Sequence, residues 1–402
     1  MSENPAALRR DLEFLPLQHE GKQLVFIRDA LGLVREGLAF PATFCRILAL
    51  LDGNRSVSAL QLEIAQAQGG KLISAVEVRE LLDELDSLFL LDSPSYAQAR
   101  ATVLAEYAAR PVRPAAHAGR AFADDPAALS SQLDAILRVA PAPSAPEGQL
   151  AGLVAPHIDP QIGARVYSCA YQMLRAARPS RVIVLGVGHS LMHGLFSLTE
   201  KDFDTPLGRV RTDKDAVRLL SLAAGECCAG DDYAHRAEHS VEFQVVFLQH
   251  VLAPDSFSIV PVLCGSLLSG LPRYSRDAFL EKAGPFLDVL RDLADTPGTL
   301  LLAGVDFSHF GLKFGHPQPA SLLEAQAKAH DTALLERLAA ADAPGFWAES
   351  VRVQDCFNVC GFSALACLLE AIPQARGQVL GYDIWHEQPT HSAVSFAALA
   401  YA

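Results

Sequence analysis

Residues 181–189, RVIVLGVGH, decide how the rest of this 402-residue chain is read. The run is apolar and β-branched, too short for a helix and free of polar alternation, which marks a strand buried on both faces. It ends, past Gly186 and Gly188, on His189. The same form recurs through the C-terminal two-thirds. GLVAP at 152–156 leads into His157 and Asp159, SIVPVLC at 258–264 ends on Cys264, and TLLLAGV at 299–305 leads into Asp306 and His309. SFAALAY at 395–401 is a further run of this kind. Helical stretches alternate with them, at 164–177, 215–224, 239–252, 277–294 and 321–341. This alternation predicts an α/β fold over residues 149–402, with a mostly buried mixed or parallel sheet flanked by helices.

In open α/β sheets, ligands sit beyond the carboxyl ends of the strands. A single histidine after a strand is ordinarily a hydrogen-bonded core or surface residue. Three separate strands that lead into histidine point to one shared site, and a metal ion is its simplest occupant. AEHSVEFQ at 237–244 adds His239 at a predicted helix start, with Ser240 and Glu242 beside it. That histidine reads equally as a helix cap answering the dipole or as a catalytic group. DCFNVCGFSALACLLEA at 355–371 places Cys360 and Gly361 where an apolar helix opens. A thiolate is stabilised at such a position and can bind metal or react. Cys264 stays open as a rival sulfur ligand and Glu242 as an oxygen one.

Composition bounds the rest. Half the residues are apolar and 20% are charged, as in an ordinary soluble protein. A net charge of −13 speaks against a nucleic-acid or anionic-membrane surface, so neither partner is expected. The eight cysteines show no paired CxxC spacing and read as reduced thiols, mostly packing, Cys169, Cys356 and Cys367 among them. With no apolar signal core near the N-terminus and no apolar run of membrane-spanning length, a cytoplasmic protein is expected. Residues 1–105 predict a small winged-helix-like domain. LVFIRD (24–29) and GLVREGL (32–38) read as short strands turning at Gly32. Helices follow from Pro41 to Gly53, from Ser58 to Gln68, and from a capping box at Ser74 and Glu77, and LFLLDSP (88–94) reads as a closing strand. Residues 1–110 carry 11 Lys/Arg against 15 Asp/Glu, the wrong sign for a DNA reader. Residues 106–148 read as a Pro/Ala-rich linker holding one helix.

The motifs carry a resemblance. LLDGNRSVSAL (50–60) and LLDELDSLFLLDS (81–93) are similar to the PqqD-like modules that bind peptides or docking partners. APHIDPQIGARVYSCAY (155–171), VLGVGHS (184–190), EHSVEFQVVFLQ (238–249), VDFSHFG (305–311) and NVCGFSALACLLEA (358–371) follow one another as in the Memo family, which includes AmmeMemoRadiSam system protein B. HAGRAFADDPAAL (117–129) resembles that family's opening HAGSWY segment and HSAVSFAALA (391–400) its closing strand. The resemblance implies the fold of the class III extradiol dioxygenases. It implies metal ligation by His157, His189 and Cys360, a catalytic base at His309, and Asp306 and His239 lining the pocket. The sequence departs from the pattern in three places. Ser190 stands where animal members have a second histidine, Arg120-Ala121-Phe122 replaces Ser-Trp-Tyr, and Cys360 stands where the dioxygenases use a carboxylate. A two-histidine, one-thiolate set is softer than theirs, so iron or copper is expected ahead of zinc.

Three functions follow from these residues. The first is a metal-dependent, oxygenase-like redox enzyme acting on a small molecule or peptide. The second is a zinc-type hydrolase or lyase with His239 or His309 as base and Glu242 orienting it. The third is a non-enzymatic metal- or peptide-binding protein whose N-terminal module presents the partner.

Overall fold

Hydrogen-bonding groups of apolar strands must pair with one another once buried, and that requirement organises this chain. The computed structural model describes residues 4–402 except 20, 68, 145 and 147, with backbone alone for 16–19. The chain divides into two units, Met1–Ala109 and Arg110–Ala402.

In the first unit, β1 (Leu12–His19) and β2 (Lys22–Asp29) form an antiparallel hairpin, and β3 (Ala39–Pro41) pairs with β2. LVFIRD is thus a strand, but GLVREGL is a loop. Its course is set by Asp29, whose carboxylate accepts the backbone N–H groups of Leu31, Leu33 and Val34. Asp29 also accepts from Arg9 at 2.7 Å, both side chains being buried. The helices Val57–Ala67 and Ala75–Ser87 follow, the second opened by the expected capping box of Ser74 and Glu77. The expected end of the earlier helix at Gln68 lies outside the described residues. LFLLDSP is not a strand: Leu91 makes only an isolated bridge with Leu8, and Ser93 caps a helix over Pro94–Ala108. Leucines that read as strand there are the apolar floor of the unit, Leu90 and Leu91 being buried with Leu60, Ile64, Val78 and Leu85.

The second unit begins with β4 (Val112–Arg113), followed by β5 (Gly152–Ala155), β6 (Arg181–Val187), β7 (Phe196–Leu198), β8 (Asp202–Thr205) and β9 (Gly208–Val210). Then come β10 (Ser258–Cys264), β11 (Thr299–Gly304), β12 (His309–Gly311), β13 (Gly377–Glu387) and β14 (Ser392–Tyr401). Among the described residues the main sheet runs in the order β12-β14-β5-β11-β6-β10-β7, with β13 on β14. The strands β5, β11, β6 and β10 are parallel to their neighbours within that group. SFAALAY lies in β14, which runs antiparallel to β5. The fold is therefore mixed α/β, as the alternation predicts.

Successive residues of a strand point to opposite faces, and β6 shows why its apolar run needs no polar alternation. Ile183 and Leu185 pack beneath the helices Lys214–Ala224, Arg276–Ala294 and Phe362–Ala371. Val182 and Val184 pack on the other side with the helices Ala164–Tyr171 and His239–Val251. The helix Pro126–Leu137, from the proline-rich stretch, belongs to that second layer through Leu129, Leu133, Ile136 and Leu137.

Arg113 on β4 is one of the charged side chains buried in this unit. Its side chain and that of Glu242 are fully buried and ion-paired. Arg113 also donates to the carbonyls of His235 and Glu238, each at 2.8 Å. One guanidinium thus ties down the segment that enters the helix His239–Val251. Removing one partner of such a pair strands the other charge, at a cost of about 3–5 kcal/mol. Arg113→Met is expected to lower unfolding free energy by about that much, read by denaturant titration, with Arg113→Met/Glu242→Leu recovering a large part. A loss under about 1 kcal/mol would show the pair to be a bystander.

Candidate metal centre

The four parallel strands share one direction, so their carboxyl ends deliver side chains to one edge. His157 follows β5 and is 2% exposed, not at the exposed strand end that its sequence position suggests. Its backbone N–H donates to Asp306 Oδ1 and its Nδ1 to the Gly304 carbonyl, both at 3.0 Å. These contacts place the ring's lone pair on Nε2, which lies 3.5 Å from Cys360 Sγ and 3.6 Å from Asp306 Oδ2. His189 follows β6, and Glu238 holds it twice. One carboxylate oxygen accepts its backbone N–H at 3.1 Å, the other its Nδ1 at 3.0 Å. The same Glu238 oxygen lies 3.2 Å from His239 Nδ1. His239 stacks on His189 with ring centroids 4.8 Å apart and meets His157 edge-on at 5.0 Å.

His157, His189 and Cys360 each offer a donor atom, all within 4.8 Å of one another. Small side-chain shifts bring that spacing within reach of metal bonds about 2.0–2.3 Å long. Imidazoles whose Nδ1–H is held by an acceptor, leaving Nε2 as donor, are the usual form of metal-binding histidine. The donor set fits a single ion. His189, Glu238 and His239 form a second close group, but Glu238 there already accepts the Ser240 and His189 backbone N–H groups.

His309 lies on the same edge. Its Nδ1 donates to the Phe307 carbonyl at 3.0 Å. Buried Asp331 steadies this loop by accepting the hydroxyls of Ser308, Ser395 and Tyr382. A cleft of about 430 Å³ opens beside the cluster, and His189, His309, Cys360, Tyr274, Phe314 and Phe362 are among its lining residues. The alternative ligands read from the sequence sit in other surroundings. Glu242 is taken up by Arg113 and by the backbone N–H groups of Ala116 and His117, so it orients neither His239 nor His309. Cys264 is buried next to Cys367 and also lines the cleft, whereas Cys356, read from the sequence as a packing residue, is exposed. Phe122 is buried edge-on against Phe243, a packing role for the departure at Arg120-Ala121-Phe122.

Glu238 is the residue that sequence reasoning passed over, although it stands immediately before His239. The orienting role read into Glu242 belongs to Glu238, the N-cap of the helix. His117 also joins the edge of the cluster, its Nε2 donating to the Ala237 carbonyl at 3.0 Å.

Burial sets the electrostatics. It lowers His157 to about 3, with His189 adding to the effect, and it lowers His239 and His309 as well. Burial also raises Asp306 to about 6. Glu238 is pushed up by burial, but His189 and His239 outweigh that and hold it well below the usual range. The Cys360 thiol is raised by burial and then by Asp306, so the helix N-terminus alone does not make it a thiolate. A metal ion would.

A histidine whose folded pKa is depressed contributes stability above its unfolded pKa, and this is lost as pH falls. Metal-stripped protein should therefore lose stability between about pH 6.5, the unfolded histidine value, and about 3, where His157 titrates. Asp306 acts in the opposite sense. Its contribution is complete below the unfolded carboxylate value of about 4 and lost as pH rises through about 6. Denaturant midpoints against pH should fall toward acid in the apo chain and fall more steeply in Asp306→Asn. A flat profile from neutrality to pH 4 would mean that the rings are already protonated in the fold. For the loaded protein, Glu238→Gln is expected to weaken metal affinity about 10–100-fold, measured by competition with a chelator.

Comparison with known proteins shows the family to which the chain is related. The Memo-like protein family matches residues 113–400. A MEMO1 family protein of Aquifex aeolicus is 26% identical over 395 residues, covering 98% of this chain and 100% of its own, so the likeness includes the N-terminal unit. MEMO1 family proteins of Methanopyrus kandleri and Thermus thermophilus are each 29% identical, over 58% and 61% of this chain and 76% and 70% of theirs. The motifs read from the sequence and the family match span the same α/β unit, and the chain belongs to the Memo-like family.

Proposed function

We propose that His157, His189 and Cys360 hold one metal ion, iron or copper ahead of zinc, and that the protein is an oxygenase-like redox enzyme acting on a small molecule or peptide in the adjoining cleft. One observation carries the reading: three donor atoms from three separate segments converge within 4.8 Å, with both imidazole tautomers set by acceptors behind them. The resemblance of this family to the extradiol dioxygenase fold favours oxygen chemistry, although fold by itself does not fix reaction. A bound metal would supply Lewis acidity and one-electron redox capacity. The protein's own groups do the rest. His309 faces the cleft, and burial lowers its pKa and so favours the neutral imidazole. It can therefore take a proton from bound substrate. Glu238 keeps His189 and His239 oriented, and Asp306 holds the backbone of His157 in place.

The thiol supports a second reading, in which a soft copper site binds metal without turnover. Oxygen consumption with candidate substrates separates the two.

Metal analysis of protein purified without added metal tests the site itself. His157→Ala/His189→Ala should carry far less than stoichiometric metal, and Cys360→Ser should bind more weakly than Cys264→Ser. At the metal X-ray edge, a sulfur shell near ~2.3 Å is expected and should vanish in Cys360→Ser. Full metal retention in the double variant would sink the assignment. Because His157 is buried, His157→Gln is the control that keeps volume and polarity.

A further inference from the structure

We propose that the cleft beside the histidines admits a small organic cation, an amine carried on an apolar or aromatic body, and that Asp355 selects it. This rests on the cleft serving as the substrate site, as proposed above. His189, His309 and Cys360 stand within its lining, and Tyr274, Phe314 and Phe362 furnish aromatic surface. Among the described residues no lysine or arginine lines it, and Asp355 is its one carboxylate.

No cation bonds to that carboxylate among the described residues, although His330 lies close enough to favour its charge. Asp355 accepts the Val359 backbone N–H at 2.9 Å, and no other hydrogen bond or ion pair reaches its side chain among the described residues. His330, the base that acts on it from a distance, donates its Nδ1 hydrogen to Glu349 at 2.9 Å instead. Burial raises the Asp355 pKa, the sign of a charge poorly compensated where it stands.

The loop itself does not require the charge. Gln354, Asp355 and Asn358 have φ of 51°, 52° and 50°, left-handed backbone that asparagine tolerates at least as well as aspartate. Asparagine would also make the same bond to Val359. A carboxylate therefore stands where the neutral isostere would serve the backbone equally. An ammonium group seated between this carboxylate and the aromatic walls would supply the missing partner, through a charge-assisted hydrogen bond and cation–π contact. The volume, about 430 Å³, is that of a small-molecule site.

The test uses the full-length chain as purified, titrated calorimetrically with phenethylamine, the neutral 2-phenylethanol and the anionic 3-phenylpropanoate. The amine should bind about tenfold tighter than the alcohol, and the anion more weakly than both. In Asp355→Asn the amine should fall to the alcohol's affinity while metal content stays unchanged. An amine no tighter than the alcohol in the unsubstituted chain overturns the proposal, and so does an undiminished preference in Asp355→Asn. N-acetyl-lysine amide binding more tightly than phenethylamine would assign the cleft to protein lysines and likewise overturn it. Should Asp355→Asn fail to fold, the amine–alcohol comparison in the unsubstituted chain still decides. The metal reading fails on a different measurement, since amine preference is read directly and does not require metal to be present.

Discussion

Parallel pairing of β5, β11, β6 and β10 is the constraint on which the second unit depends. Parallel strands need a crossover after each one, so every connection must leave at the carboxyl edge and return at the other. The first residues past β5, β6 and β11 are therefore neighbours although far apart in sequence. His157, His189 and Asp306 meet for that reason. Both faces of these strands are covered by helices, and the polar side chains that these strands themselves carry stand at their ends. The same pairing that buries the apolar runs thus collects the reactive groups.

A cluster of buried imidazoles needs something to hold it, and two carboxylates do so in different ways. Glu238 engages the cluster directly, accepting from His189 and lying against His239. Glu242, one helical turn further, instead binds Arg113, which in turn holds the carbonyls just before His239. An ion pair so deeply buried gains little against an apolar replacement of both partners. Its value here is positional: it aims the N-terminus of the helix His239–Val251 at the cluster. Asp331, satisfied by three hydroxyls, does the same for the loop that carries Asp306 and His309.

The cluster is electrostatically costly to bury. Neutral histidines, a protonated thiol and a carboxyl raised to about 6 all reflect burial of groups that would rather face water. Metal binding requires neutral imidazole and thiolate. Burial already favours the neutral form of His157 and disfavours the thiolate of Cys360, so the thiol is the group whose proton a metal ion would have to displace. An ion bound there would have an affinity that depends on pH through Cys360, and folding stability would then depend on that ion.

Much of this was legible in the chain itself. Strand type follows from local composition: RVIVLGV, SIVPVLC and TLLLAGV have no polar alternation because both of their faces are buried, and they are strands in the structure. The capping box at Ser74 depends on residues three apart and formed where read. Histidines at strand ends could be listed without coordinates, because the carboxyl edge of such a sheet gathers whatever follows each strand. Long-range choices were not legible. LFLLDSP has the composition of a strand, but its leucines face a helical core. Glu238 and Glu242 differ by four residues on one helix, and sequence offers no means of telling which meets histidine and which meets Arg113. The burial of His157 and the raised thiol of Cys360 likewise depend on what packs above them. Local hydrogen bonding and hydrophobic periodicity are properties of neighbouring residues, so the sequence determined them. The pairing of buried charges depends on which distant segment arrives, and only the tertiary structure decided that.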